Sequence, residues 1–95
     1  MFKKIMEMMQ EYIDRDLIEI WQDKEEDDPH LDGMYRDTFY RITFDDSDRT
    51  TWKIGNDIWQ WIEDHAIRIE EGIYSIFYYF DDCVISCDWK IGAGA

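Results

Sequence analysis

The chain has 95 residues, which bounds it to one small domain, and 45% are hydrophobic, with five Trp, six Tyr and five Phe to build an efficient core. That aromatic content excludes a disordered acidic tail. Asp and Glu number 23 against 10 Lys and Arg, a formal charge of −13. This argues against direct contact with DNA, RNA or an anionic membrane, because those partners are held by Lys and Arg.

A small domain needs a net charge of only about 2–8 for solubility, and the excess here opposes compaction through self-repulsion. An acidic surface attracts basic partners instead, such as nucleic-acid-binding proteins or a cationic toxin. Plain solvation is the alternative use of the charge. Lys3 and Lys4 are followed at once by Glu7, Glu11 and Asp14, so the apolar core of a signal peptide is missing. No apolar run approaches the ~20 residues of a membrane helix. With two cysteines, the expectation is a cytoplasmic protein with reduced thiols, in the host cytoplasm if phage-encoded.

Residues 2–24 carry a helical period. Phe2, Ile5, Met6, Met9, Tyr12, Ile13, Leu17, Ile20 and Trp21 make one apolar stripe, with Glu7, Glu11 and Asp14 opposite. Ile18 falls among the acids and is expected as a singly exposed residue. Lys24 to Gly33 reads as a loop, with Glu25, Glu26, Asp27 and Asp28 in a row before Pro29 breaks the helix. Tyr35 to Phe44 reads as a strand, Asp45-Asp46-Ser47-Asp48 as a turn, and Thr50 to Ile54 as the returning strand. A second helix is expected from Asn56 or Asp57, with Asp57 and Gln60 as a capping pair. Ile58, Trp61, Ile62, His65, Ala66 and Ile69 form its buried stripe and Gly72 stops it. Ile73 to Phe80, apolar on both faces, suits a central strand. Asp81-Asp82 then turns the chain, and Cys83 to Ile91 returns as the last strand.

One signature is written twice: Phe44-Asp45-Asp46 leading to Trp52-Lys53-Ile54-Gly55, and Phe80-Asp81-Asp82 leading to Trp89-Lys90-Ile91-Gly92. Each copy reads as a β-hairpin. The expected order is α-β-β-α-β-β, an α+β fold whose four-stranded antiparallel sheet carries both helices on one face. As a tandem repeat within a single domain, residues 1–55 form the first αββ unit, 56–92 the second and 93–95 a flexible tail. A homodimer, with sheets joined edge to edge or face to face, is the alternative architecture.

Catalytic chemistry is sparse. His65 is expected as a hydrogen-bonded core histidine, and His30 lies in the acidic loop with Asp27, Asp28 and Asp32, where solvation explains it better than a metal. Cys83 and Cys87 share a strand face about 13 Å apart, too far for a disulfide and with no further Cys/His pair for zinc. Asp46, Asp48 and Thr50 lack the glycine and distal Glu of a calcium loop. No phosphate loop or nucleophile elbow occurs. The expectation is a protein that is not an enzyme and carries no cofactor or metal.

The acids remain, as a surface. Glu7 and Glu11 lie one helical turn apart, about 6 Å at 1.5 Å per residue, and Asp14 continues the row. The turns Asp45-Asp46-Asp48 and Asp81-Asp82 are expected at the same end of the sheet, and Glu25, Glu26, Asp27 and Asp28 add a dense patch. Together these are the candidate partner-binding residues. Carboxylate rows on a rigid scaffold can occupy a groove built for nucleic acid, with fast and salt-sensitive association. In size, acidity, aromatic content and lack of catalytic motifs, the whole chain resembles the small acidic DNA-mimic inhibitors of phages and mobile elements, the anti-CRISPR and anti-restriction proteins. No family-specific motif carries the resemblance, so it assigns no residue. It implies an inhibitor that blocks the nucleic-acid-binding surface of a host defence protein. The competing expectations are an immunity protein or antitoxin that caps a basic nuclease toxin, and a structural or oligomeric module.

Overall fold

Residues 1–23, 38–73 and 75–90 are described by the computed structural model of the chain. The first apolar stripe folds as a helix, α1 (Phe2–Asp14), that buries Ile5 and Met9. It ends far sooner than its periodicity suggests. Asp16 adopts a left-handed backbone, φ 62°, its amide donates to the Ile13 carbonyl, and the Leu17 amide donates to the Tyr12 carbonyl. These two bonds make a Schellman stop, with an Asp in the place glycine usually fills. The chain then reverses into strand β1 (Ile18–Gln22), where Ile18 is buried at 3% exposure rather than exposed on a helix.

Strand β2 (Phe39–Asp45) follows, and the expected second strand of its hairpin does not exist. Thr50 to Ile54 lies instead in helix α2 (Arg49–His65). The cause is a capping box placed earlier than Asp57. The Thr51 amide donates to Asp48 Oδ1 at 2.9 Å, and the Asp48 amide donates to Thr51 Oγ1 at 3.3 Å. Asp57 sits mid-helix and pairs with Lys53. The division expected after Gly55 therefore falls inside α2. The helix ends at His65, and Arg68–Glu71, expected as its last turn, forms strand β3.

Strand β4 (Ile76–Tyr79) and strand β5 (Val84–Lys90) complete one sheet, in the order β1-β2-β5-β4-β3. β1–β2, β3–β4 and β4–β5 are antiparallel, but β2 and β5 run parallel, Phe39 beside Val84 through Asp45 beside Lys90. Among the described residues the fold is thus α+β with a five-stranded mixed sheet, not four antiparallel strands. A parallel neighbour needs a long crossover, and α2 with the β3–β4 hairpin supplies it. The two copies of the signature differ accordingly: Trp52-Lys53-Ile54-Gly55 is helical, whereas Trp89 and Lys90 close a strand.

Both helices cover one sheet face. Ile5, Met9, Ile58 and Ile62 pack on Ile18, Ile42, Phe44, Tyr78, Phe80, Ile85 and Cys87. Phe39, Phe77, Tyr79 and Val84 form a second buried cluster on the other face, so β4 is apolar on both sides because it buries side chains on both faces. On this second face Arg41 ties the sheet together. Its guanidinium donates to Asp23 Oδ2 at 2.8 Å, Ser75 Oγ at 3.1 Å and Asp88 Oδ2 at 3.4 Å. Cys83 and Cys87 are free and buried, and burial pushes both thiols above their ordinary range, which disfavours the thiolate.

Candidate functional site: an acidic band along the first helix

The two acidic turns do not share an end of the sheet. Because β2 and β5 are parallel, the Asp45-Asp46 turn follows the last residue of one, while the Asp81-Asp82 turn precedes the first residue of the other. Seven residues of strand separate the two levels, about 20 Å. α1 spans that distance. Its 13 residues cover about 20 Å.

The start of α1 is fastened to one turn, and the chain just past its end meets the other. At its start Met1 offers no side-chain cap, and the missing cap comes from the far end of the chain. The Phe2 amide donates to both Asp82 carboxylate oxygens at 3.2 Å, and the Met1 amine donates to Oδ2 at 3.3 Å. A carboxylate at a helix N-terminus satisfies orphan amides and complements the helix dipole. The partial burial of Asp82 works to raise its carboxyl, but the Phe2 amide and the Met1 amine outweigh it and hold the group below the usual carboxylate range. For the amine, desolvation is overcome by Asp82 and Asp81, so it sits above its ordinary value. At the other end the Asp45 amide donates to the Leu17 carbonyl at 2.9 Å.

Between these fixed points Glu7, Glu11 and Asp14 are exposed. Neither Glu7 nor Glu11 has an ion-pair partner among the described residues, and Asp14 accepts only from Gln10 Nε2, at 2.9 Å. Glu7, Glu11 and Asp14 thus follow one another along the helix, with Asp81 in the turn at its start, Asp46 in the turn beyond its end, and Lys3 and Lys4 interrupting the row near its start. The buried stripe of α1 prevents the helix from rolling.

Several candidate acids turn out to have local duties. Asp48 caps α2, Asp82 caps α1, and Asp45 Oδ1 accepts the Ser47 amide at 2.8 Å in an Asx turn. Glu25, Glu26, Asp27 and Asp28, with His30, lie outside the described residues. His65 is exposed rather than in the core. Its Nδ1 donates to the Trp61 carbonyl at 2.8 Å, and the ring stacks on Trp61 with centroids 4.0 Å apart. Among the described residues no cluster of three or more His, Cys, Asp or Glu is placed to hold a metal. No helix among them is long and apolar enough to cross a membrane.

Sequence reading missed one concave feature, formed where Trp59 and Trp89 meet beside β4. Trp59 stands off the predicted stripe of the second helix, and nothing in the helical period marks it. Comparison with protein-family models, with curated proteins and with solved structures returned no match.

Proposed function

We propose that this protein is an acidic inhibitor that occupies the nucleic-acid-binding surface of a host defence protein, with the α1 band as the contact. The observation that carries the reading is the row of exposed acids Glu7, Glu11 and Asp14 on a helix whose start is capped from the Asp81-Asp82 turn, with Asp46 in the turn near its far end. Fixed charges lose little conformational entropy on binding, and a linear acidic array is the complement of Lys and Arg arrayed for a polyanion. The acidic caps add to the field without being free to move. The partner is a basic nucleic-acid-binding protein or complex, and the chain itself contacts no nucleic acid.

The test is capture of partners from the native host's lysate at low salt, with elution by a salt gradient and competition by DNA or RNA. The expected outcome is a nucleic-acid-processing complex that nucleic acid displaces. The triple reversal Glu7→Lys, Glu11→Lys, Asp14→Lys is expected to weaken capture at least a hundredfold, since like charges then face the partner's cations. Circular dichroism is expected to show the helices intact, because all three side chains point to solvent. Undiminished capture by the triple variant would remove the band from the interface. Recovery of a single small basic nuclease instead would favour an immunity protein.

A further inference from the structure

A groove lies on the opposite flank of the helical face from α1. The β4–β5 ladder consists of two pairs, Tyr78 with Ile85 and Tyr79 with Val84, while β5 runs on to Lys90 beside β2. Where that ladder ends a groove opens, about 310 Å3 on one side and 350 Å3 on the other, with Trp59 and Ile76 lining both. Its aromatic wall is Trp59 and Trp89, with ring centroids 5.9 Å apart, and the Trp59 indole N–H donates to the Tyr78 hydroxyl at 2.8 Å, which fixes the ring. Among the described residues the charged lining residues are Glu63, Glu71 and Asp88, and none that lines the groove is basic. Asp88 is shared with Arg41 at 3.4 Å, whereas Glu63 and Glu71 are exposed and have no ion pair among the described residues. Ile73 and Ile76, which line it, are 58% and 40% exposed, and Trp52, 52% exposed, stacks on Trp89.

We propose that this groove takes an arginine side chain of a basic protein partner, with the guanidinium against the groove side of the Trp59–Trp89 wall, Glu63 lining one side of the groove and Glu71 the other. The aromatic quadrupole attracts a cation within about 6 Å of a ring centroid. The planar guanidinium stacks on such a wall and offers several N–H donors to flanking carboxylates, which a lysine ammonium does not match. The exposed isoleucines that line the groove suit the aliphatic stem. The Trp–Trp spacing leaves no room for a cation between the rings, so the ligand lies on the wall rather than inside it. This assignment rests on the reading of the protein as a binder of basic partners, and it adds an anchor that the band of pure charge lacks.

The test is titration of the 15N-labelled protein with a six-arginine peptide at low salt, with a six-lysine peptide as comparator. Shifts are expected at the Trp59 indole N–H and the Gly72 and Cys87 amides. The Glu63→Gln, Glu71→Gln double variant is expected to weaken the arginine peptide about tenfold while the remaining spectrum stays in place, and the lysine peptide to bind several-fold more weakly. Shifts confined to α1, an unchanged affinity in the double variant, equal affinity for both peptides, or no binding would each overturn the groove assignment. The inhibitor reading stands or falls separately: a groove that binds arginine in a protein that captures no nucleic-acid-binding partner would sink that reading alone.

Discussion

Asp82 shows how a single carboxylate in this acidic chain can be structural. It accepts the Phe2 amide and the Met1 amine, so its charge serves the fold across nearly the whole chain length. The carboxyl is held below its ordinary value, so its contribution is complete above about pH 4 and fades as the pH falls through the depressed value. The amine is held above its ordinary value, so its share is complete below about pH 8 and fades as the pH rises through the raised value. Between these limits Asp82→Asn is expected to lower stability by about 0.5–1 kcal/mol, the range for a charge at a partly exposed helix terminus. The side chain is 48% exposed, which keeps the figure at that modest level. Urea unfolding of both proteins at pH 2.5, 6.5 and 10 would measure it. The difference is expected to be largest at pH 6.5, and a pH-independent difference would mean that the charge has no part in the cap.

At the scale of elements, the Trp-Lys pair common to both copies lies in a helix at Trp52-Lys53 and in a strand at Trp89-Lys90, and Gly55 records the meeting of the two. A Cβ built on Gly55 would lie 2.7 Å from one ring carbon of Trp89 and 3.2 Å from Phe44 Cβ. The glycine that closes the first copy thus makes room for the tryptophan that opens the second. Alanine gains about 1 kcal/mol of helix propensity over glycine, but overpacking against the partly buried ring costs about 1–3 kcal/mol. Gly55→Ala is therefore expected to destabilise by about 1 kcal/mol and to move Trp89. Thermal unfolding with near-ultraviolet circular dichroism would detect both, and a higher Tm would show that Trp89 yields freely. Element types were legible where the pattern was long and uniform, as in α1, the β4 strand with its two apolar faces, and β5. They were illegible where a short stop or cap outweighed periodicity. The period of residues 2–24 runs straight through the left-handed Asp16, and the one sign of the change was Ile18, an apolar residue out of phase because it faces the core from β1. The strand-like alternation of Thr50 to Ile54 gave way to the Asp48–Thr51 box, which satisfies the first amides of a helix whose later turns bury Ile58 and Ile62. The α1 acids were legible because exposure follows from phase. The way α1 joins the two turns was not, because it depends on the parallel pairing of β2 and β5, which no local signal encodes.

At the scale of the whole molecule, the charge of −13 acts on folding and on binding with opposite dependence on salt. The principal extents are 36 × 28 × 21 Å, and at 0.01 M salt the Debye length is about 30 Å. Nearly every exposed acid then repels every other, and the folded state, in which they are closest, suffers more than the unfolded chain. At 0.15 M the screening length falls to about 8 Å, and only near neighbours still repel. The ion pairs that fix the sheet lose less, because the Arg41 and Asp23 side chains are each only 14% exposed, and buried pairs are screened weakly. Tm is therefore expected to rise by several degrees between about 0.01 and 0.15 M NaCl, where each 1 kcal/mol is worth about 4–8 °C in a domain of this size. Reversing Glu7, Glu11 and Asp14 to Lys changes the charge by two units at each site, from −13 to −7, and is expected to flatten that rise. Association with a basic partner has the opposite slope, because the same screening removes the attraction. A protein whose Tm climbs with salt while its partner elutes carries its acids at the expense of its own stability, and the sites where reversal flattens both slopes are those that bind. A Tm that stays level or falls with added salt would show that the folded surface has already balanced its charge, and the excess of acids would then need no partner to explain it.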